Sequence, residues 1–151
     1  MPNVSYRKVK TEDIPFLAKI RAANWETEDF WNYSISSYLN NTRNPQKALK
    51  ERVLYVALVD SAIVGFIAGH LSTRYDCQGE LEWIDVTEQY RRDGIASALV
   101  KILAAWFIEH KAYKVCIDPG NEIARKFYSK NGAKDLNDHW MFWNDIRNIF
   151  K

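Results

Sequence analysis

The chain opens with Val4-Ser5-Tyr6-Arg7-Lys8-Val9, where apolar and polar side chains alternate as along a half-buried strand. Thr11 then reads as a helix cap, with Glu12, Asp13 and Pro15 in the first turn and Ile14, Leu17, Ala18, Ile20 and Arg21 along one stripe. A second helix is predicted over Phe30 to Leu39, a turn-rich break over Asn40 to Pro45, and a short helical piece over Gln46 to Glu51. Val53 to Val59 is a strand, Asp60-Ser61 its turn and Ile63 to Leu71 the antiparallel partner. After a loop at Tyr75 to Gly79, Leu81 to Val86 is apolar on both faces, the mark of a central strand. Asp93-Gly94 opens a long helix through Ala96, Leu99, Val100, Leu103, Ala104 and Phe107 that ends near His110-Lys111. Lys114 to Ile117 is a strand, Ile123 to Lys130 a helix stopped by Asn131-Gly132, and Trp140 to Trp143 the last strand.

Strand, helix, strand around Gly94 is a crossover unit, so Leu81 to Val86 and Lys114 to Ile117 are predicted parallel neighbours in an otherwise antiparallel sheet. The predicted fold class is α/β: a mixed, mostly antiparallel central sheet with helices on both faces, in one domain over residues 1–151. With 47% hydrophobic residues the chain can build a core, and disorder is excluded as a description of the whole. The tryptophans and tyrosines read as core filling before pocket lining.

Lys plus Arg number 21 against 19 Asp plus Glu, a net charge of +2 that holds no polyanion by itself. Arg91-Arg92 has no further basic cluster with interleaved aromatics around it, so a nucleic-acid partner is not expected. The longest apolar run, Ala96 to Ile108, is broken by Ser97 and Lys101 and is shorter than the ~18 to 20 residues of a bilayer span, so no membrane partner is expected either. Cys77 and Cys116 lack Cys-x-x-Cys spacing, no histidines are paired at metal-ligand intervals and no secretory leader precedes them. They read as reduced thiols of a cytoplasmic protein without a metal.

The segment Arg91-Arg92-Asp93-Gly94-Ile95-Ala96-Ser97 joins a strand to a helix and places small residues where the helix begins. Free N–H groups of a first helical turn, with the positive end of the helix dipole, favour a phosphate, and Gly94 and Ala96 let backbone come close. Each charge-assisted hydrogen bond there contributes on the order of 1.5 to 3 kcal/mol, so the loop backbone outweighs either arginine at an exposed rim. No Gly-Lys-Ser/Thr follows and no Gly-x-Gly-x-x-Gly is present, so the loop is neither a Walker motif nor a dinucleotide fingerprint.

Arg91-Arg92-Asp93-Gly94-Ile95-Ala96 resembles the Arg/Gln-x-x-Gly-x-Gly/Ala signature of the GNAT superfamily of acyl-CoA-dependent N-acyltransferases. Downstream, Asn121-x-x-Ala124-x-x-Phe127-Tyr128-x-x-x-Gly132-Ala133 resembles the Asn-x-x-Ala-x-x-Phe-Tyr-x-x-x-Gly-Phe helix of the same family. The likeness covers Val53 to Trp143 well and the helical front third in outline; Ala133 departs from the usual phenylalanine, and Ala96 is an allowed replacement of the second glycine. The resemblance implies acetyl-CoA as acyl donor, coenzyme A as product, and residues Arg91 to Ser97 around the pyrophosphate. It also implies that Ile84 and Val86 offer backbone groups to the pantetheine and the thioester carbonyl, and that Asn121 caps its helix, bonds the pantetheine arm, or does both.

Acyl transfer to an amine needs a neutral amine, an oxyanion site and a proton for the departing thiolate. An alkylamine of pKa ~10.4 is neutral in roughly one molecule in a few thousand at pH 7, so a base helps greatly. Glu82 holds the place where the resemblance implies an acidic residue facing the amine; direct transfer to an unperturbed Glu is uphill by about 8 kcal/mol, so Glu82 is expected to act through water or with a raised pKa. Its plainer reading is a strand carboxylate paired with Arg or Lys. Glu80 and Asp85 are the reserves: Glu80 shares a face with Glu82 in a regular strand, Asp85 points the other way, and a bulge would scramble that parity. The resemblance implies Tyr128 as general acid, and a phenol near pKa ~10 gives its proton to a thiolate near ~8.5 at a cost of about 2 kcal/mol; its plainer reading is a core tyrosine beside Phe127. His110 suits a helix C-terminus, whereas His70 and His139 are structural residues or proton acceptors. Cys116 reads as an inert core thiol.

The expected function is an N-acetyltransferase moving an acetyl group to a primary amine of a small molecule or peptide by direct transfer in a ternary complex. The rival is an acyl-CoA-binding domain without catalysis, serving regulation or interaction. The front helices, with Arg21, Trp25, Trp31, Tyr33 and Tyr38, would build the acceptor side, and the Trp140 to Trp143 strand is a candidate edge for a homodimer.

Overall fold

Alternation along one long strand divides the molecule into its layers. In β2 (Ala48–Val59), Val53, Ala57 and Val59 enter one hydrophobic core while Leu54, Val56 and Leu58 enter the other. The computed structural model describes residues 3–151. Its other elements are β1 (Val4–Lys8), α1 (Ile14–Ala22), α2 (Glu28–Leu39), β3 (Ala62–Ser72), β4 (Gly79–Val86), α3 (Ile95–Glu109), β5 (Val115–Ile117), α4 (Glu122–Lys130), β6 (Lys134–Asp135) and β7 (Met141–Trp143). They form a seven-stranded sheet in the order β1-β2-β3-β4-β5-β7-β6, in which only β4 and β5 pair in parallel. Helices α1 and α2 pack on one face around Leu17, Ile35 and Phe66, and α3 with Tyr128 of α4 on the other around Ile67, Leu99 and Leu103. The mixed sheet, the two helical faces and the crossover through α3 are those expected from the sequence. No helix among the described residues is long and apolar enough to cross a membrane.

Three local expectations are corrected. Residues Gln46 to Glu51 do not form a helical piece: Lys47 turns the chain at φ 69, and β2 starts at Ala48 opposite Ser72. Leu49 to Glu51 bulge out against Leu71 before Arg52 meets His70, and Arg52 holds that arch by donating to the carbonyls of Leu49, Lys50 and Tyr38. Helix-forming side chains are overridden there by strand pairing. Thr11 is not the cap of α1, which follows a 3₁₀ turn at Thr11–Asp13; the Asp13 carboxylate instead accepts from the Lys10 N–H at 2.7 Å and from Arg7 at 2.7 Å. The Trp140 to Trp143 strand is not an edge, since β7 lies between β5 and the two-residue β6, which is exposed.

Helix α3 lies so close to the sheet that two strand positions have no room for a side chain. A Cβ on Gly69 would sit 2.9 Å from the Leu103 methyls, and one on Gly79 would overlap the Phe107 ring. Both glycines flank the start of β4 and fix its distance from α3. Gly79→Ala is expected to destabilise the fold by about 1 to 3 kcal/mol by displacing Phe107, read as a lowered urea midpoint with an unchanged slope.

Candidate active site

One extra residue in β4 shapes the site. Pairing with β3 runs through Gly69↔Leu81 and Ala68↔Trp83, which leaves Glu82 without a partner as a bulge. Two consequences follow. The parity flips, so that Trp83 joins the core under α1 and α2, and Asp85 lies 3.7 Å from Arg21 of α1. Glu80, Glu82 and Asp85 therefore share one face, where a regular strand would have sent Asp85 away. The pairing with β5 also ends, covering only Gly79, Glu80 and Leu81, so β4 and β5 part beyond that point. The Thr87 N–H donates to Val64 of β3, and by alternation the peptide groups of Ile84 and Val86 turn to the opposite edge, into the gap.

At the open end of this gap the chain passes a 3₁₀ turn at Glu88–Tyr90 and enters α3 through Arg92 and Gly94, both left-handed at φ 72 and φ 80. The first helical bond is Ala98 N–H to the Gly94 carbonyl, so the N–H groups of Ile95, Ala96 and Ser97 have no helical partner. A Cβ on Gly94 would meet nothing within 4 Å, which leaves open space directly before those donors. Donors, dipole and space fit a pyrophosphate. Arg91 is tied inward, donating from Nε to the Val86 carbonyl at 2.9 Å with Nη2 3.7 Å from Asp85. Asp85 in turn accepts from the Val86 N–H at 3.0 Å. Of the two strand residues named from the sequence, Val86 thus has its peptide groups engaged within the chain, while those of Ile84 line the gap. Arg92 and Asp93 are exposed on the turn.

Glu82 sits where two cavities meet. One, of about 310 Å³, is lined by Phe30, Trp31, Tyr38, Arg43 and Trp83. The other, of about 340 Å³, is lined by Arg74, Glu80, Asp118 and Trp140. Trp31 and Tyr38 therefore both fill the core and wall a cavity, whereas Trp25 and Tyr33, expected on the acceptor side, are exposed and line neither cavity. Burial, reinforced by the Glu80 charge, raises the Glu82 carboxyl from 4.5 to about 7 against the pull of Arg74, Arg21 and Arg52. The nearby guanidiniums are engaged elsewhere: Arg74 Nε lies 2.9 Å from Glu80, and Arg21 and Arg91 face Asp85. Among the described residues Glu82 has no salt bridge, which removes its plainer reading. Burial also raises the Asp85 carboxyl from its ordinary value, against its two arginines and the Val86 N–H.

Tyr128 of α4 is buried in edge-to-face contact with Phe127 and Trp143. Burial pushes its hydroxyl well above the ordinary phenol range, with Arg21 opposing. Arg21 itself is flanked by Asp85, Tyr128 and Glu82 and stacks 4.5 Å from the Trp31 ring, so it is the common neighbour of the candidate groups. Asn121 caps α4 by accepting from the Ala124 N–H at 2.8 Å. The three histidines separate: His110 donates to or stacks within its own helix end at Trp106, His139 Nε2 lies 2.8 Å from Asp118, and His70 is fully buried 2.8 Å from the Tyr38 hydroxyl. Cys116 is buried, and its hydrogen bond with Cys77 together with that burial pushes the thiol up, as an inert residue requires. His70 and Tyr38 are both candidates from the sequence, but their contact is not, and Arg74 is absent from the sequence reading of the site; Arg74 comes in on a turn between strands, and only the tertiary pairing Glu80↔His70 points to these links.

The chain matches the model of the acetyltransferase (GNAT) family over residues 17–133. No curated protein matches it. Among solved structures, the PaiA N-acetyltransferase of Thermoplasma acidophilum in complex with coenzyme A superposes with a TM-score of 0.68 at 18% identity, over 94% of this chain and 99% of that one. An N-acetyltransferase from Staphylococcus aureus gives 0.67 at 19%, over 95% and 99%. An aminoglycoside 6'-N-acetyltransferase complexed with coenzyme A gives 0.71 at 16%, over 94% and 97%. At such identities these likenesses carry the fold, and the family model adds the lineage. On the span of that match, the chain belongs to the GNAT acetyltransferase family.

Proposed function

We propose that the chain is an acetyl-CoA-dependent N-acetyltransferase acting by direct transfer to a primary amine. The observation that carries the reading is the Glu82 bulge, which opens the gap between β4 and β5 and sets a carboxyl raised to about 7 at the wall of an aromatic cavity. The donor would lie with its pyrophosphate on the N–H groups of Ile95, Ala96 and Ser97 and its arm along Ile84, and when bound it supplies an activated thioester carbonyl. Coenzyme A is the product. The acceptor is an amine on a small molecule or a peptide, of a size set by the 310 Å³ cavity with Phe30, Trp31, Tyr38 and Trp83 as walls.

Glu82 takes a proton from the acceptor ammonium, directly or through a water. At a pKa of about 7 the transfer from an amine near ~10.4 is uphill by roughly 5 kcal/mol, against about 8 for an ordinary Glu. Because burial raises the Tyr128 hydroxyl, that group keeps its proton at every working pH and full transfer to sulfur costs more than for a free phenol. Its contribution is then a hydrogen bond to the departing sulfur, strengthened by the dry surroundings that raise the pKa.

Acetyl-CoA is expected to raise the melting temperature, and Gly94→Val to remove that rise by filling the space before the α3 donors, with Arg91→Ala only weakening it. A wild-type melting curve unmoved by saturating acetyl-CoA would overturn the donor assignment. Tyr128→Phe is expected to lower turnover roughly 10²- to 10³-fold with the acetyl-CoA shift intact; thiol release measured at wild-type level would return Tyr128 to the core. For Glu82, kcat/KM is expected to rise with pH through about 7 as the carboxyl ionises, and Glu82→Gln to abolish that limb together with most turnover. Activity of Glu82→Gln equal to wild type from pH 6 to 9 would move the base elsewhere.

A further inference from the structure

His70 is fully buried, and its Nε2 has no hydrogen-bond partner. That nitrogen lies 3.7 Å from Glu80 Oε1, and one ring nitrogen of His70 with one carboxylate oxygen each of Glu80 and Glu82 forms a set of atoms within 4.8 Å of one another. Such a set is looser than the ~3.4 Å between donors held ~2.1 Å from a tetrahedral zinc, and Glu80 already carries a guanidinium. These distances, with a guanidinium already on Glu80, do not suit a metal ion.

The charges around Glu82 come from every element packed on it: Glu80 from its own strand, Arg74 from the turn before β4, Arg21 from α1 and Arg52 from β2. Tyr38 of α2 and His70 of β3 close the rear. Three guanidiniums would by themselves make Glu82 a weak proton acceptor. Burial opposes them most, Glu80 is the one carboxylate that adds to it, and that carboxylate is held in place. Arg74 Nε donates to it at 2.9 Å and is anchored in turn by Nη2 on the Gln46 carbonyl at 2.9 Å. The Tyr38 hydroxyl donating to His70 Nδ1 selects the tautomer whose Nε2–H faces Glu80, because the reverse tautomer would aim a lone pair at two carboxyl groups.

We propose that Glu80, held by Arg74 and faced by His70, is a positioning residue for catalysis, a carboxylate that keeps Glu82 a competent proton acceptor. Glu80 touches no reacting atom in this scheme and works through Glu82 alone. The inference rests on the reading of Glu82 as the base.

The test compares Glu80→Gln, Glu80→Asp and Glu82→Gln with wild type by two readouts, the pH profile of kcat/KM and the pH dependence of the urea midpoint without any ligand. Removing the Glu80 charge lowers the proton affinity of Glu82, so the acidic limb in Glu80→Gln moves to lower pH by roughly one unit, with a reduced plateau from the weaker base. The second readout follows from linkage. A carboxyl that binds protons more tightly folded than unfolded costs stability as pH rises from its unfolded value to its folded one, between 4.5 and about 7 in wild type. That fall is expected to end at lower pH in Glu80→Gln and to shrink in Glu82→Gln to the part that the buried Asp85 contributes. Glu80→Asp, which restores the charge, returns both features toward wild type. A limb in Glu80→Gln that coincides with wild type, or a uniform loss at all pH values, overturns the inference while Glu82→Gln stays inactive. An active Glu82→Gln instead overturns the base reading itself.

Discussion

The insertion of one residue into β4 governs the candidate site. A strand in register on both sides would continue its ladder into β5, leave no opening in the sheet, and turn Asp85 and Trp83 toward α3. With Glu82 unpaired, the strand gains twist, β5 is released after Leu81, and the polar residues of the second half of β4 come round beneath α1 and α2. The opening, the carboxyl at its wall and the face on which the arginines gather all derive from that single mismatch.

Around the opening, buried charge is balanced in layers. Asp85 gathers Arg21, Arg91 and the Val86 N–H, and Glu80 gathers Arg74. What is left over is a carboxyl with no partner of its own, and burial in such a place favours its uncharged form. A group placed this way is a poor stabiliser of the fold. The proton-accepting role proposed for Glu82 would be a compensating use for it.

The long strands and α3 were legible because their apolar spacing and the Asp93-Gly94 break state a period and a boundary in the residues themselves. The loop before α3 was legible for the same reason, as a left-handed glycine followed by small residues leaves few alternatives. The start of β2 was not, because Lys50, Glu51 and Arg52 have helical preferences and only pairing with β3 overrides them. The bulge was foreseen as something that would scramble parity, but its position depends on how β3 lies against β4, and Leu81-Glu82-Trp83 carries no local mark of it. Arg74, and the partners of His70, stayed hidden for a related cause. Their meaning comes from Glu80, which is distant from His70 in sequence and opposite it in the sheet.

The sheet joins two unequal bodies. Strands β1 to β4 are tied by long antiparallel ladders, whereas β5, β7 and β6 are two or three residues each and reach the rest of the sheet by the three-residue register of β4 with β5. Within the sheet, the seam between these bodies is held by the fewest pairings, and it is the shared core with α3 that closes it. The gap assigned to the donor runs along that seam, with α4 and Tyr128 on the smaller body and Glu82 on the larger. A long, narrow product of the proposed reaction would leave from between two bodies that the sheet joins through three residue pairs.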